Sequence, residues 1–145
     1  MNALVRSLGG LAAATALVWA VATPANAAIV DVKIGNAAAP GRLLTAGPGD
    51  LVSMQAPGAG RQIWVKSGTN PGFATYKIQD HCLTGRAGMV TMEPCVAGHP
   101  AQQWRTSGDA LIMHSTGESA TLVGARVLLQ PFTGQPTQRW PQSIA

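Results

Sequence analysis

The sequence predicts an all-β domain made of three copies of one unit, on three observations. The first is a lack of helical pattern. Nine prolines follow residue 27 and glycine recurs every few residues, and none of the patterned runs between them reaches the roughly ten to twelve residues of an ordinary helix. The second is a series of short runs with alternating or β-branched character between those breakers: Ile29 to Ile34, Arg42 to Thr45, Leu51 to Gln55, Gln62 to Lys66, Ala74 to Gln79, Met89 to Met92, Leu111 to His114 and Arg126 to Gln130. Many short strands separated by turn signals point to a sandwich or a barrel. The third is a repeat. Gln62-Ile63-Trp64, Gln102-Gln103-Trp104 and Gln138-Arg139-Trp140 share one motif, with tryptophan spacings of 40 and 36 residues, a period that marks repeated supersecondary units.

The surroundings of the motif repeat as well. Val52-Ser53-Met54-Gln55-Ala56-Pro57, Val90-Thr91-Met92-Glu93-Pro94-Cys95 and Val127-Leu128-Leu129-Gln130-Pro131-Phe132 each precede a Gln-x-Trp. In each, Val and the Met or Leu two positions later share one strand face. One tryptophan per unit supplies a large apolar body, and three related by a pseudo-threefold axis can share a core. The glutamine, two residues earlier, is expected on the same face of its strand as the tryptophan. A buried amide there must find partners, and neighbouring backbone is the expected one.

The first 27 residues read as an export signal. Arg6 precedes an uncharged apolar run from Leu8 to Ala22, and Ala25-Asn26-Ala27 has the small-x-small form of a signal peptidase site. The run is shorter than the roughly twenty residues of a membrane span. Cleavage after Ala27 leaves residues 28–145 as one domain with no membrane span, its repeats at about 28–66, 67–106 and 107–145. Trp19 leaves with the signal. The destination is the medium or the cell envelope, and the alanine, glycine and proline content resembles that of GC-rich bacteria.

Charge excludes one class of partner. Residues 28–145 carry +3, and the nine basic side chains are spread evenly from Lys33 to Arg139. No cluster forms a phosphate-tracking groove, so nucleic acid is not an expected partner. The two cysteines, Cys82 and Cys95, point to a disulfide in an exported chain. Closing a loop of this length stabilises by about 3 kcal/mol. A thiol pair for metal or redox work is the other reading, but the spacing is not Cys-x-x-Cys and no histidine pair accompanies it. Among His81, His99 and His114 and the six scattered acids, no acid–base pair, nucleophile or metal-ligand cluster is visible. No enzyme, metal or cofactor is indicated.

The triple Gln-x-Trp resembles the ricin-type β-trefoil lectins, whose units read Cys-Leu-Asp, then Val-x-Leu-x-x-Cys, then Gln-x-Trp. The second unit, Cys82-Leu83-Thr84 through Val90 to Cys95 and on to Gln102-Gln103-Trp104, matches most closely, and it places both cysteines where that family forms its within-unit disulfide. The resemblance covers residues 28–145. It implies twelve strands, a six-stranded barrel capped by three hairpins, and a structural role for Gln62, Trp64, Gln102, Trp104, Gln138 and Trp140.

The family's sugar pocket is another matter. It uses the aspartate of Cys-Leu-Asp, an aromatic ring on the following strand and an Asn-Gln pair before the tryptophan. Carried over by position, the aspartate becomes Thr84 in unit two, Thr45 in unit one, and falls near Leu122 or Val123 in unit three. The ring becomes Gln55, Glu93 or Gln130, and the asparagine becomes Arg61, Ala101 or Thr137. Only the glutamines match. The pocket expected to persist is in unit two, with Glu93, His99 and Gln102 around Thr84. Phe73, in the loop 69–73, is the one candidate for an exposed ring, a ring folded back onto the barrel being the favoured reading, while Tyr76 and Phe132 are expected in the core.

Two functions follow. One is a carbohydrate-binding module with degenerate sugar sites, its partner a glycan or cell-surface polysaccharide. The other is a protein-interaction trefoil, such as a protease inhibitor or surface adaptor, working through its loops.

Overall fold

The computed structural model describes residues 28–70 and 72–145. The expected signal segment and Pro71 lie outside the described residues. Twelve strands follow in order: β1 (Ile29–Ile34), β2 (Leu43–Ala46), β3 (Val52–Gln55), β4 (Trp64–Asn70), β5 (Phe73–Ile78), β6 (His81–Arg86), β7 (Met89–Pro94), β8 (Trp104–Ser107), β9 (Ala110–Met113), β10 (Ser119–Val123), β11 (Arg126–Gln130) and β12 (Gln142–Ile144). Short 3-10 turns at Pro100–Gln102 and Pro136–Gln138 precede the second and third tryptophans.

Four strands make one unit. The first and last of each unit join into a barrel through the antiparallel pairs β12–β1, β1–β4, β4–β5, β5–β8 and β8–β9. At the β9–β12 seam, Trp140 N–H donates to the Asp109 carbonyl at 2.7 Å. The middle strands of each unit form the hairpins β2–β3, β6–β7 and β10–β11. These hairpins brace one another: Met92 N–H donates to the Asp50 carbonyl and Leu129 N–H to the Gly88 carbonyl, each at 2.8 Å.

The core lies on the pseudo-threefold axis. Trp64, Trp104 and Trp140 are fully buried among Met54, Met92, Leu129, Leu44, Leu83 and Ala120. Each indole nitrogen donates to a carbonyl of its own unit's second strand, at Leu44, Leu83 and Ala120 (3.0, 2.9 and 2.9 Å). Gly85 lets the middle hairpin settle onto this core, because a Cβ there would run into Met113 Sδ and Leu129 Cδ1.

The motif glutamines are buried too, but not as strand neighbours of the tryptophans. Gln102 and Gln138 end 3-10 turns, and Gln62 lies in the stretch before β4. All three amides make the same bonds within their own unit. Nε2 donates to a threonine hydroxyl (Thr45, Thr84, Thr121; 3.0, 3.1 and 3.1 Å) and to a carbonyl at the end of the third strand (Ala56, Pro94, Pro131; 2.8, 3.0 and 2.9 Å). Oε1 accepts from Gly58, Val96 or Thr133 N–H (3.0, 2.9 and 2.6 Å). The glutamine thus closes its unit on itself.

Two aromatic expectations part ways here. Tyr76 is fully buried, its hydroxyl accepting from Gln142 Nε2 at 2.9 Å. Phe132 is 55% exposed, not core. It takes the place of Cys95 in unit three, but Ser119 stands where Cys82 would, so nothing draws the ring inward.

Two outcomes test this packing. Gln102→Leu strips partners from two backbone groups and should cost about 1–3 kcal/mol in urea unfolding, against about 3–5 kcal/mol for Trp104→Ala. Burial pushes the Tyr76 phenol up to about 12, an effect the bond from Gln142 only partly offsets. Its folded pKa is raised, so its contribution to stability is complete below about 10 and lost as pH rises through about 12. Tyr76 is the one tyrosine in the chain, so tyrosinate absorbance should report this titration directly.

Candidate functional site

The polar groups expected to form the unit-two pocket are already engaged. Thr84 is buried, on β6 opposite Thr91. Its hydroxyl donates to the Cys82 carbonyl at 2.8 Å and accepts from Gln102 Nε2. Gln102 is spent on the clasp described above. Thr45 and Thr121 repeat this arrangement, donating to the Leu43 and Ser119 carbonyls at 2.9 and 3.0 Å. The aspartate position of unit three is therefore Thr121, not Leu122 or Val123, which follow it on β10.

Glu93 lies on β7, opposite Cys82. Arg86 Nε donates to both its carboxylate oxygens at 2.8 and 2.9 Å, and Nη2 approaches Oε1 at 2.7 Å. Where the family stacks a sugar on an aromatic ring, this chain holds an ion pair. His99 precedes the 3-10 turn, its Nδ1 accepting from Ala101 N–H at 3.1 Å. Phe73 opens β5 rather than sitting in a loop, in register with Arg105 of β8. Its ring meets His114 edge-on with centroids 4.2 Å apart. Thr84 and Gln102 are thus together but sealed, Glu93 and His99 are capped by local partners, and Phe73 packs elsewhere. The disulfide Cys82–Cys95 is formed, with Cα atoms 5.0 Å apart, and ties β6 to the loop after β7.

The open clefts are at other places. One of about 350 Å³ lies between the Ser107–Ala110 turn and the loop carrying Phe132 and Gly134, with Arg139 on its wall. Its relative in unit one, about 340 Å³, is bordered by Lys33, Pro57, Arg61 and Ile63. A third, about 400 Å³, runs between Arg42, Gln55 and Leu122. Asp109 and Arg139 are not among the expected site residues, and Phe132 is expected in the core, yet all three border the first of these clefts. The available signal was the bulky ring in a cysteine position with no partner cysteine in its unit.

No protein-family model matches the chain, and no curated protein matches it either. Solved structures do. The β-trefoil lectin of the Vibrio vulnificus hemolysin/cytolysin, bound to N-acetyl-D-lactosamine, is 24% identical with a TM-score of 0.64, matching 81% of this chain and 96% of its own. ThreeFoil, a designed threefold-symmetric protein, is 19% identical with a TM-score of 0.67, over 77% and 96%. SeviL, bound to asialo-GM1 saccharide, is 15% identical with a TM-score of 0.69, over 81% and 99%. The fold is a β-trefoil, like that of the Vibrio lectin and ThreeFoil. This trefoil spans under half of some longer matches, 47% of PSL1a and 33% of an endo-β-galactosidase from Clostridium perfringens.

Among the described residues, no group of three or more His, Cys, Asp and Glu is placed to hold a metal ion. No helix there is long and apolar enough to cross a membrane.

The ion pair gives the trefoil a pH signature. Hydrogen bonds from Arg86 hold the Glu93 carboxyl below the usual carboxylate range, against a smaller opposing effect of burial. The folded pKa is lowered, so this contribution is present above the ordinary carboxylate pKa and lost as pH falls through the lower folded value. Carboxyl titration by NMR should find Glu93 low in the native protein and returned towards the ordinary range in Arg86→Ala.

Proposed function

We propose that this protein is an exported carbohydrate-binding module whose inherited sugar pockets are closed. The observation that carries the reading is the trefoil itself, with all three Gln-x-Trp clasps intact. Neighbours of this fold are solved with saccharides bound, N-acetyl-D-lactosamine and asialo-GM1 saccharide among them. The closure rests on Thr45, Thr84 and Thr121 at the aspartate positions, and on Gln55, Glu93 and Gln130 at the stacking positions. Export rests on the character of residues 1–27 and on the disulfide.

The reading assigns the chain no catalysis. His99 caps a 3-10 turn, His114 packs on Phe73, and Glu93 is held by Arg86. Fold alone does not give function, so the test is direct. Folded, oxidised protein on a glycan array that includes bacterial wall polymers should give hits that free sugar competes away. A blank array, with no sugar perturbing the protein's NMR spectrum, would overturn the carbohydrate reading and turn the search to protein partners on the loops.

A further inference from the structure

We propose that the cleft between the Ser107–Ala110 turn and the Phe132 loop is a binding site for one neutral pyranose unit, on a different part of unit three from the closed family pocket. The inference rests on the carbohydrate reading and places its site.

The cleft has an apolar wall and two opposite polar groups. Phe132 offers an exposed ring, and Asp109 and Arg139 border the same space. A pyranose matches this set. Its C–H face covers an aromatic ring, while its hydroxyls both donate and accept. One ring can therefore give hydrogen bonds to the Asp109 carboxylate and take them from the Arg139 guanidinium. An anionic ligand would face Asp109 and a cationic one Arg139, so the site favours a neutral ligand. At about 350 Å³ the space is at the lower end of the range for ligand pockets, which suits a short glycan end.

All three groups stand on pinned backbone. The Gln138 amide oxygen accepts from Thr133 N–H at 2.6 Å and from Gly134 N–H and Thr133 Oγ1 at 3.1 Å each, which sets the loop that carries Phe132. Gly134 turns that loop at φ 77°, a conformation that favours glycine. Arg139 Nε donates to the Gly134 carbonyl at 3.2 Å, leaving its terminal nitrogens for a ligand. The Asp109 carbonyl takes the Trp140 N–H at 2.7 Å. The core clasp of unit three thus preorganises the surface site beside it, which lowers the ordering cost of binding.

The other units lack the set. In unit two the Phe132 position is Cys95, tied to Cys82, and the Arg139 position is the buried Gln103. In unit one they are Pro57 and Ile63, and the related cleft is bordered by neither an aromatic ring nor a carboxylate. The trefoil then binds through one site.

Amide and side-chain NMR of the oxidised protein, titrated with methyl β-galactopyranoside, methyl β-glucopyranoside, methyl α-mannopyranoside and glucuronate, tests this. At least one neutral glycoside should shift Gly108, Asp109, Phe132 and Gly134, with glucuronate weaker. Phe132→Ala and Asp109→Asn should each weaken binding about tenfold, Phe132→Trp should retain it, and none should move the unfolding midpoint. Shifts centred on Thr84 and Ala101, or unchanged binding by Phe132→Ala, would overturn this site while leaving the carbohydrate reading standing. Glucuronate binding as tightly as the glycosides would overturn the neutral class. A glycan array without competable hits, together with no shift from any sugar here, would end both.

Discussion

Everything in this trefoil depends on one buried amide used three times. Each motif glutamine gathers a threonine hydroxyl, a carbonyl leaving the third strand and an N–H of the loop that follows. Each hydrogen bond nets only about 1 kcal/mol, while a buried tryptophan contributes more through the area it removes from water. Burial therefore supplies most of the stability. The amide supplies the constraint: with its partners absent, a buried polar group would be left unpaired, so only one path of the chain into the tryptophan is tolerated.

The same device limits function. A threonine that completes the clasp is short enough to be fully buried, with both its hydrogen-bonding roles used inside the unit. On the proposed carbohydrate reading, such a threonine has no hydrogen bond left to offer a sugar. The units then diverge on their loops, where the constraint is weak. Unit two spends its third-strand loop on a disulfide and covers the hairpin face with Arg86 and Glu93. Unit three leaves Phe132 free at the corresponding position.

The fold was largely legible because its signals are local. Ile29–Ile34 and Arg126–Gln130 were bounded correctly by alternation alone, and the period of the tryptophans identified the units. Strands β6, β8, β10 and β12 were not seen. His81–Arg86 and Ser119–Val123 are buried on successive residues and interrupted by small side chains, so neither alternates. Gln102 and Gln138 reach the core through 3-10 turns rather than by strand periodicity, because Pro100 and Pro136 start those turns. The candidate site was poorly legible. Asp109, Phe132 and Arg139 come from a hairpin turn, a loop and the variable residue of the motif, and only the closed barrel brings them to one cleft.

The central claim is that each clasp fixes a tryptophan in the one shared core, so that no clasp opens without the whole fold. Native-state hydrogen exchange tests it most directly, read at the indole N–H of Trp64, Trp104 and Trp140 and the amides of Gly58, Val96 and Thr133. The account predicts that all six exchange only through global unfolding, with matching free energies and the same denaturant dependence. A unit whose indole and loop amide exchanged together through a smaller opening, while the other two stayed protected, would contradict it.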